Sequence, residues 1–140
     1  MNIRLATILF EQSSMSHDDI SEKIHSLDLM GFGGYCGDAA IRINKEVFGG
    51  SGKYVVAANK FIWDNHHSIV GHVAVEHDGV YWDSDAEPKD REDIESWGMV
   101  DPEDPDYADL SGWTEEAAYE VEWLDGLSEK EVMELMPCPV

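Results

Sequence analysis

This chain of 140 residues has two cysteines, nine basic residues and no long apolar run. Two thiols, Cys36 and Cys138, are too few for the disulfide framework of a small secreted domain. A Cys36–Cys138 bridge is one arrangement; the composition fits better a reducing compartment in which Cys36 stays a thiol. No stretch of about 18 apolar residues occurs, which excludes a membrane-spanning helix. The apolar start, Met1 to Phe10, carries only Arg4 and meets Glu11 at once, so it lacks the charged start and small-residue cleavage site of a signal peptide. A soluble, cytoplasmic protein is the expectation.

The shortage of bases matters most. Nine Lys and Arg face 30 Asp and Glu, a formal net charge of −21. Between Asp83 and Glu134, 20 acids stand against Lys89, Arg91 and Lys130. Such a surface repels phosphates, so nucleic acid is not an expected partner, whereas a basic protein or peptide is. The same charge also serves as a solvated face, or as a decoy that imitates DNA.

At 43% hydrophobic residues the chain is expected to fold, as one domain over residues 1–140. Residues 3–12 are apolar without a clear period. Ser16 and Asp19 resemble a capping box, and Ile20, Ile24 and Leu27 follow at helical spacing, which predicts a helix over 17–29. Gly31, Gly33 and Gly34 end it. Cys36, Ala40, Ile43 and Val47 share one face of a second helix over about 36–48, stopped by Gly49-Gly50. Residues 54–58 suit a buried strand, and residues 65–68 a polar loop. Asp78-Gly79 between residues 69–77 and 80–83 is a strong signal for a hairpin with a type I′ turn. A short helix is expected near 90–97 and an irregular acidic loop over 101–106. Thr114 is expected to cap a helix reaching Leu124, with Ala117, Val121 and Leu124 inward. Ser128 and Glu131 form a capping box for a last helix. Helices, then strands, then helices predict an α+β fold.

Three side chains suggest chemistry. Cys36 follows Gly33-Gly34-Tyr35 and opens a helix, where unpaired N–H groups and the helix dipole favour a thiolate. Gly37 leaves room beside the sulfur, and nearby N–H groups suit a developing oxyanion. A small hydrophobe inside the central helix is the other role open to Cys36. About 35 residues later the hairpin carries His72 and two acids. With Asp78-Gly79 as the loop, His77 pairs with Val80, Asp85 falls opposite His72 and Asp83 is its diagonal neighbour. Either Asp83 or Asp85 can orient the imidazole. Val73 and Val75 point to the other face.

The combination of Gly33-Gly34-Tyr35-Cys36-Gly37-Asp38-Ala39-Ala40, Gly71-His72-Val73-Ala74-Val75-Glu76 and Asp78-Gly79-Val80-Tyr81-Trp82-Asp83 resembles the transglutaminase-like and papain-like cysteine enzymes. It is nearest to small versions encoded by bacteriophages. The resemblance spans about residues 30–98 and leaves about 99–140 as an acidic helical extension. It implies a central helix carrying the Cys, packed on a small antiparallel sheet, with His and Asp on consecutive strands. It further implies Cys36 as nucleophile, His72 as general base and acid, and Asp83 as the residue orienting His72. No upstream Gln matches the oxyanion position of the family; Gln12 is the one candidate.

His66, His67, His72 and His77 lie close in sequence, but no His-Glu-x-x-His or Cys-x-x-Cys pattern accompanies them, so neither a metal nor another cofactor is expected. Tyr35, Trp63 and Trp82 are candidate cleft residues because each lies near the three reactive groups in sequence; packing is the usual role of such rings. The expected function is a thiol-dependent hydrolase or acyl-transferase on an amide or thioester bond. The alternative is a non-catalytic acidic interaction protein on the same fold.

Overall fold

Capped starts define the helices. Ser16 Oγ accepts the Asp19 N–H at 3.1 Å, and helix α1 (His17–Ser26) follows, burying Ile20 and Ile24. The structure, a computed structural model, describes residues 15–29, 36–66 and 71–135, with only the backbone for Cys36 and His66. The expectations for residues 3–12, Gln12, the Gly31–Tyr35 stretch, His67 and Cys138 lie outside the described residues. Helix α2 (Cys36–Glu46) buries Ala40 and Ile43 as their spacing predicts. The chain beyond it turns through Gly49 and Gly50, both at positive φ. Asn44 pins this turn by accepting the Gly52 N–H at 2.8 Å and donating to the Gly52 carbonyl at 3.2 Å.

Four antiparallel strands follow: β1 (Lys53–Asn59), β2 (Gly71–His77), β3 (Val80–Trp82) and β4 (Val121–Leu127), in the spatial order β3-β2-β1-β4. Helix α3 (Lys60–His66) lies between β1 and β2. Helix α4 (Arg91–Glu95) and a 3₁₀ turn (Ser96–Gly98) follow β3; α5 (Glu115–Tyr119) and α6 (Glu129–Leu135) flank β4. The fold is thus mixed α+β, with six α-helices among the described residues.

Period-two alternation gives the sheet two buried faces. Tyr54, Val56, Val73, Val75 and Trp82 pack with residues of α1, α2 and α6. Val55, Ala57 and Ala74 pack on the other side with Ile94 of α4, and Tyr81, Val121 and Trp123 lie against them. Asp78 and Gly79 both have positive φ, as a type I′ turn requires. The resulting register pairs His77 with Val80, Glu76 with Tyr81 and Val75 with Trp82.

The acidic C-terminal part is not a helical extension. Thr114 does cap a helix, accepting the Ala117 N–H at 3.0 Å, but α5 ends at Tyr119. From Val121 the chain is a strand paired to β1, with Trp123 opposite Ala57. Two forces override the helical spacing of Ala117, Val121 and Leu124. Without β4, β1 would be a bare sheet edge with unpaired N–H and C=O groups. Val121 and Trp123 also have side chains suited to a pleated surface. Asp125 and Gly126 absorb a register shift between Leu124 and Leu127, with Gly126 at positive φ. The second capping box is present, Ser128 and Glu131 bonding reciprocally at 3.2 and 3.1 Å.

Candidate functional site

His72 is the second residue of β2, and Asp83 follows the last residue of β3. His72 Nε2 lies 2.8 Å from Asp83 Oδ2. Both side chains are largely buried, 12% and 5% exposed respectively. Asp85 does not hold the imidazole. Strand β3 stops at Trp82, the chain turns, and the Asp85 N–H donates to Asp83 Oδ1 at 3.0 Å. The Asp85 carboxylate stays exposed and bonds Lys89 at 3.0 Å. The turn is closed by the Ala86 N–H donating to the Asp83 carbonyl at 3.1 Å.

Burial pushes the Asp83 carboxyl up, but the hydrogen bonds from His72 and the Asp85 N–H, with the charges of His72 and Lys89, outweigh it and leave the net shift downward. Asp83 is therefore ionised at neutral pH and can only accept. The proton on the shared bond belongs to His72 Nε2, and in the neutral ring the acceptor lone pair sits on Nδ1. This is the tautomer a general base needs when its orienting acid sits on the far nitrogen.

Two more of the described residues border this pair, and neither was singled out by sequence as part of the site. The Trp97 indole stacks on His72 with centroids 4.8 Å apart and planes 26° from parallel. Gly98 makes this approach possible: a Cβ there would stand 3.0 Å from the Ala58 carbonyl carbon and from Val121 Cγ1. Lys89, 14% exposed in its side chain, brings Nζ to 3.7 Å from Asp83 Oδ1. The one sequence signal for Lys89 is its rarity, a cation in a strongly acidic stretch.

Cys36 opens α2. Phe48, just past the other end of α2, stacks on His77 at 4.4 Å, and Gly52, bonded to Asn44, lies against Val75. Helix α2 therefore runs along β2 in the same direction. Its ten steps from Cys36 to Glu46 cover about 15 Å, and the five steps from His72 to His77 about 17 Å. The first turn of α2 accordingly lies toward the end of the sheet where β2 begins. The Cys36 side chain is outside the described residues. Alternation turns His72 to the face of Ala57 and Ala74, away from α2, and His77 to the face of Phe48. The two histidines thus cannot share a ligand, and among the described residues no group of three His, Cys, Asp or Glu is placed to hold a metal ion.

Of the proposed cleft residues, Gly37 is buried in the first turn of α2 and Trp63 is half-buried on α3. Trp82 is a core residue rather than a cleft residue: it is fully buried and packs edge-on to His17 at 5.6 Å. The reason is its register opposite Val75, on the face covered by α1 and α2. Tyr35 lies outside the described residues. Among the described residues no helix is long and apolar enough to cross a membrane. No protein-family model, curated protein or solved structure matches this chain.

Proposed function

We propose that this protein is a thiol-dependent hydrolase or acyl-transferase acting on an amide or thioester bond, with Cys36 as nucleophile, His72 as general base and acid, and Asp83 as the residue orienting His72. The carrying observation is the 2.8 Å bond between His72 Nε2 and Asp83 Oδ2 in a largely buried setting. An isolated surface histidine has no such partner; a catalytic imidazole does.

In this reading His72 Nδ1 takes the Cys36 proton and the sulfur attacks the carbonyl carbon. The N–H groups of the first turn of α2 stabilise the oxyanion. His72 returns the proton to the leaving amine or thiol as the carbon–heteroatom bond breaks. Water or an amine then attacks the thioester, regenerating the thiol. Because His72 faces away from α2, this reading requires sulfur and imidazole to meet past the end of β2 rather than across its face. The net charge of −21 favours a basic protein or peptide substrate. The resemblance to bacteriophage-encoded enzymes supports action in a bacterial cytoplasm.

The test is alkylation of the Cys138→Ser protein by iodoacetamide near pH 6. An ordinary thiol, with a pKa near 8.5, is almost unreactive there. Cys36 is expected to react at least about tenfold faster than a model thiol, and His72→Ala to abolish the advantage. An ordinary rate overturns the proposal.

A second reading is favoured by the orientation of His72 away from α2. Here the pair is structural, and the acidic surface binds a basic protein without turnover. Salt-sensitive capture of nucleic-acid-binding proteins that survives Cys36→Ala, together with a slow thiol, supports this reading over the first.

A further inference from the structure

Trp97, Met99 and Tyr119 are three of the four large hydrophobic side chains exposed among the described residues, at 52%, 45% and 50%. The fold gathers them. Gly98 lies against Val121, and the Val100 N–H donates to the Ala118 carbonyl at 2.9 Å, so residues 98–100 run antiparallel to residues 118–121. Gly98, Val100 and Ala118 are buried along this seam, which leaves Met99 and Tyr119 turned outward from it. Trp97 extends the strip toward the site: one face of its indole lies on His72 and the rest is in water. The rim of the strip is acidic. Glu115 and Glu116 precede Tyr119 by four and three residues on α5 and share its side of the helix, and Asp101 follows Val100. All three are exposed, and none is ion-paired among the described residues. The cations around the strip are already engaged: Lys60 with Glu120 at 3.7 Å, Lys89 with Asp85 at 3.0 Å and Arg91 with Glu95 at 2.7 Å.

We propose that the strip formed by Trp97, Met99 and Tyr119 is the docking surface for an arginine-bearing protein segment, seated beside the His72–Asp83 pair. The inference rests on the reading of a basic partner given above and adds where that partner sits; the docking itself needs no reaction. Charge selects the occupant. A second copy of this chain carries the same −21 and is repelled, as is a nucleic acid. A basic segment is attracted by the unpaired rim. Its guanidinium groups find two exposed aromatic rings to stack on, and its aliphatic side chains meet the adaptable Met99. Arginine suits such a surface better than lysine, because its planar, weakly hydrated head stacks on a ring while still bonding a carboxylate.

The experiment titrates the ¹⁵N-labelled protein, at about 0.15 M salt to screen long-range attraction, with the peptide acetyl-Arg-Ala-Leu-Arg-Ala-Leu-Arg-amide and with a counterpart carrying Glu at each Arg. The Arg peptide is expected to shift the Trp97 indole N–H signal and the amides around Met99 and Tyr119, and the Glu peptide to shift none of them. Tyr119→Ser is expected to weaken binding about threefold, the size of one exposed cation–π contact, and Tyr119→Ser combined with Trp97→Ala about tenfold. Met133→Ser, at the fourth exposed hydrophobic side chain, is expected to leave binding unchanged. If Trp97→Ala does not fold, the exposed Tyr119 carries the comparison alone. Shifts spread evenly over the acidic surface overturn the proposal, as does a Met133→Ser protein weakened as much as Tyr119→Ser. Shifts of the same signals on raising protein concentration without peptide also overturn it, because they assign the strip to a second copy. Iodoacetamide reactivity of Cys36 is measured on the same samples. Peptide bound at the strip beside a slow thiol leaves the docking surface standing and overturns the enzyme reading; a fast thiol with no peptide at the strip does the reverse.

Discussion

Trp97 lies nearly face to face with His72, centroids 4.8 Å apart, while 52% of Trp97 remains in solvent. A large ring half in water is held at a cost unless it covers something, and what it covers is the imidazole bonded to Asp83. Trp97→Ala is expected to lower stability by about 1 kcal/mol, the worth of an aromatic pair. It is also expected to speed exchange of the His72 Nε2 proton with water by about tenfold, because an exposed hydrogen bond competes with solvent. Urea unfolding and the lifetime of that proton signal check both. A faster-exchanging proton with unchanged stability would show that Trp97 shields without holding; no change in either would reduce the stacking to coincidence.

Asp83 links the site to acid stability. Its carboxyl in the folded state lies below the ordinary value of 3.8, so it contributes stability above that value and loses it as pH falls through the folded value. Asp83→Asn removes the contribution and leaves His72 and Lys89 without their shared acceptor. At pH 7 the variant is expected to be less stable by about 2 kcal/mol, in the range for a charge-assisted hydrogen bond. The gap between native and variant should narrow as pH falls below about 4, where the unfolded carboxyl takes up its proton before the native one does. Urea midpoints of both proteins from pH 7 to pH 3 measure it. A gap that holds constant through that window would mean Asp83 titrates as an ordinary carboxyl.

Much of this arrangement was legible in the sequence because it is local. Asp78-Gly79 dictates the turn, the turn dictates the register, and the register brings His72 within reach of the acids after β3. Choosing Asp83 over Asp85 needed the structure, since extending the strand two residues past Trp82 reverses the answer. Strand β4 was missed because Ala117, Val121 and Leu124 fall at helical spacing by coincidence, while the partner that makes the segment a strand lies more than 60 residues earlier. Lys89 and Trp97 have no local pattern at all. One arrives through a backbone bridge to Tyr81, the other through the close approach of Gly98 to β1. Helix α3 has a local cap, the Ile62 N–H donating to Asn59 Oδ1, but the Asn59 amide also donates to the carbonyls of Ala117 and Ala118 in the distant α5, which no local pattern announces.

Gly71 immediately precedes His72, and a Cβ there would come within 2.0 Å of the Ala57 carbonyl oxygen. That is far inside contact distance and the opposing atom is backbone, so nothing can rotate aside. Gly71→Ala must push β2 away from β1 at the residue that positions the imidazole. The expected result is a loss of at least about 2 kcal/mol, at the large end for a point substitution. The His72–Asp83 bond should weaken with it. Amide exchange along β1 and β2 locates the damage: protection should fall at Ala57 and Ala58 first and persist near Lys53. Uniform loss along both strands would assign the cost to global destabilisation instead.

Asn59 closes the other end of β1. It is fully buried, accepts the Ile62 N–H at 3.0 Å to cap α3, and donates to the carbonyls of Ala117 at 3.1 Å and Ala118 at 3.0 Å. One amide thus ties α3 to α5 immediately before β4 begins. Asn59→Ala takes the side-chain acceptor from the Ile62 N–H and one of two donors from each of the Ala117 and Ala118 carbonyls, which keep the Glu120 and Val100 N–H groups, and a cost of about 1–3 kcal/mol is expected. Asn59→Asp retains the acceptor for Ile62 but sets a carboxylate against two carbonyl oxygens in a dry site. At pH 7 it should be at least as harmful as Ala. Acidification separates the two, because the introduced carboxyl, once protonated, donates one of the lost bonds while alanine gains nothing. Urea midpoints at pH 7 and pH 5 should therefore show Asn59→Asp recovering relative to Asn59→Ala. Parallel behaviour of the two variants would mean that the carbonyls of Ala117 and Ala118 do not depend on the Asn59 amide, and that β4 is held in register by its ladder with β1 alone.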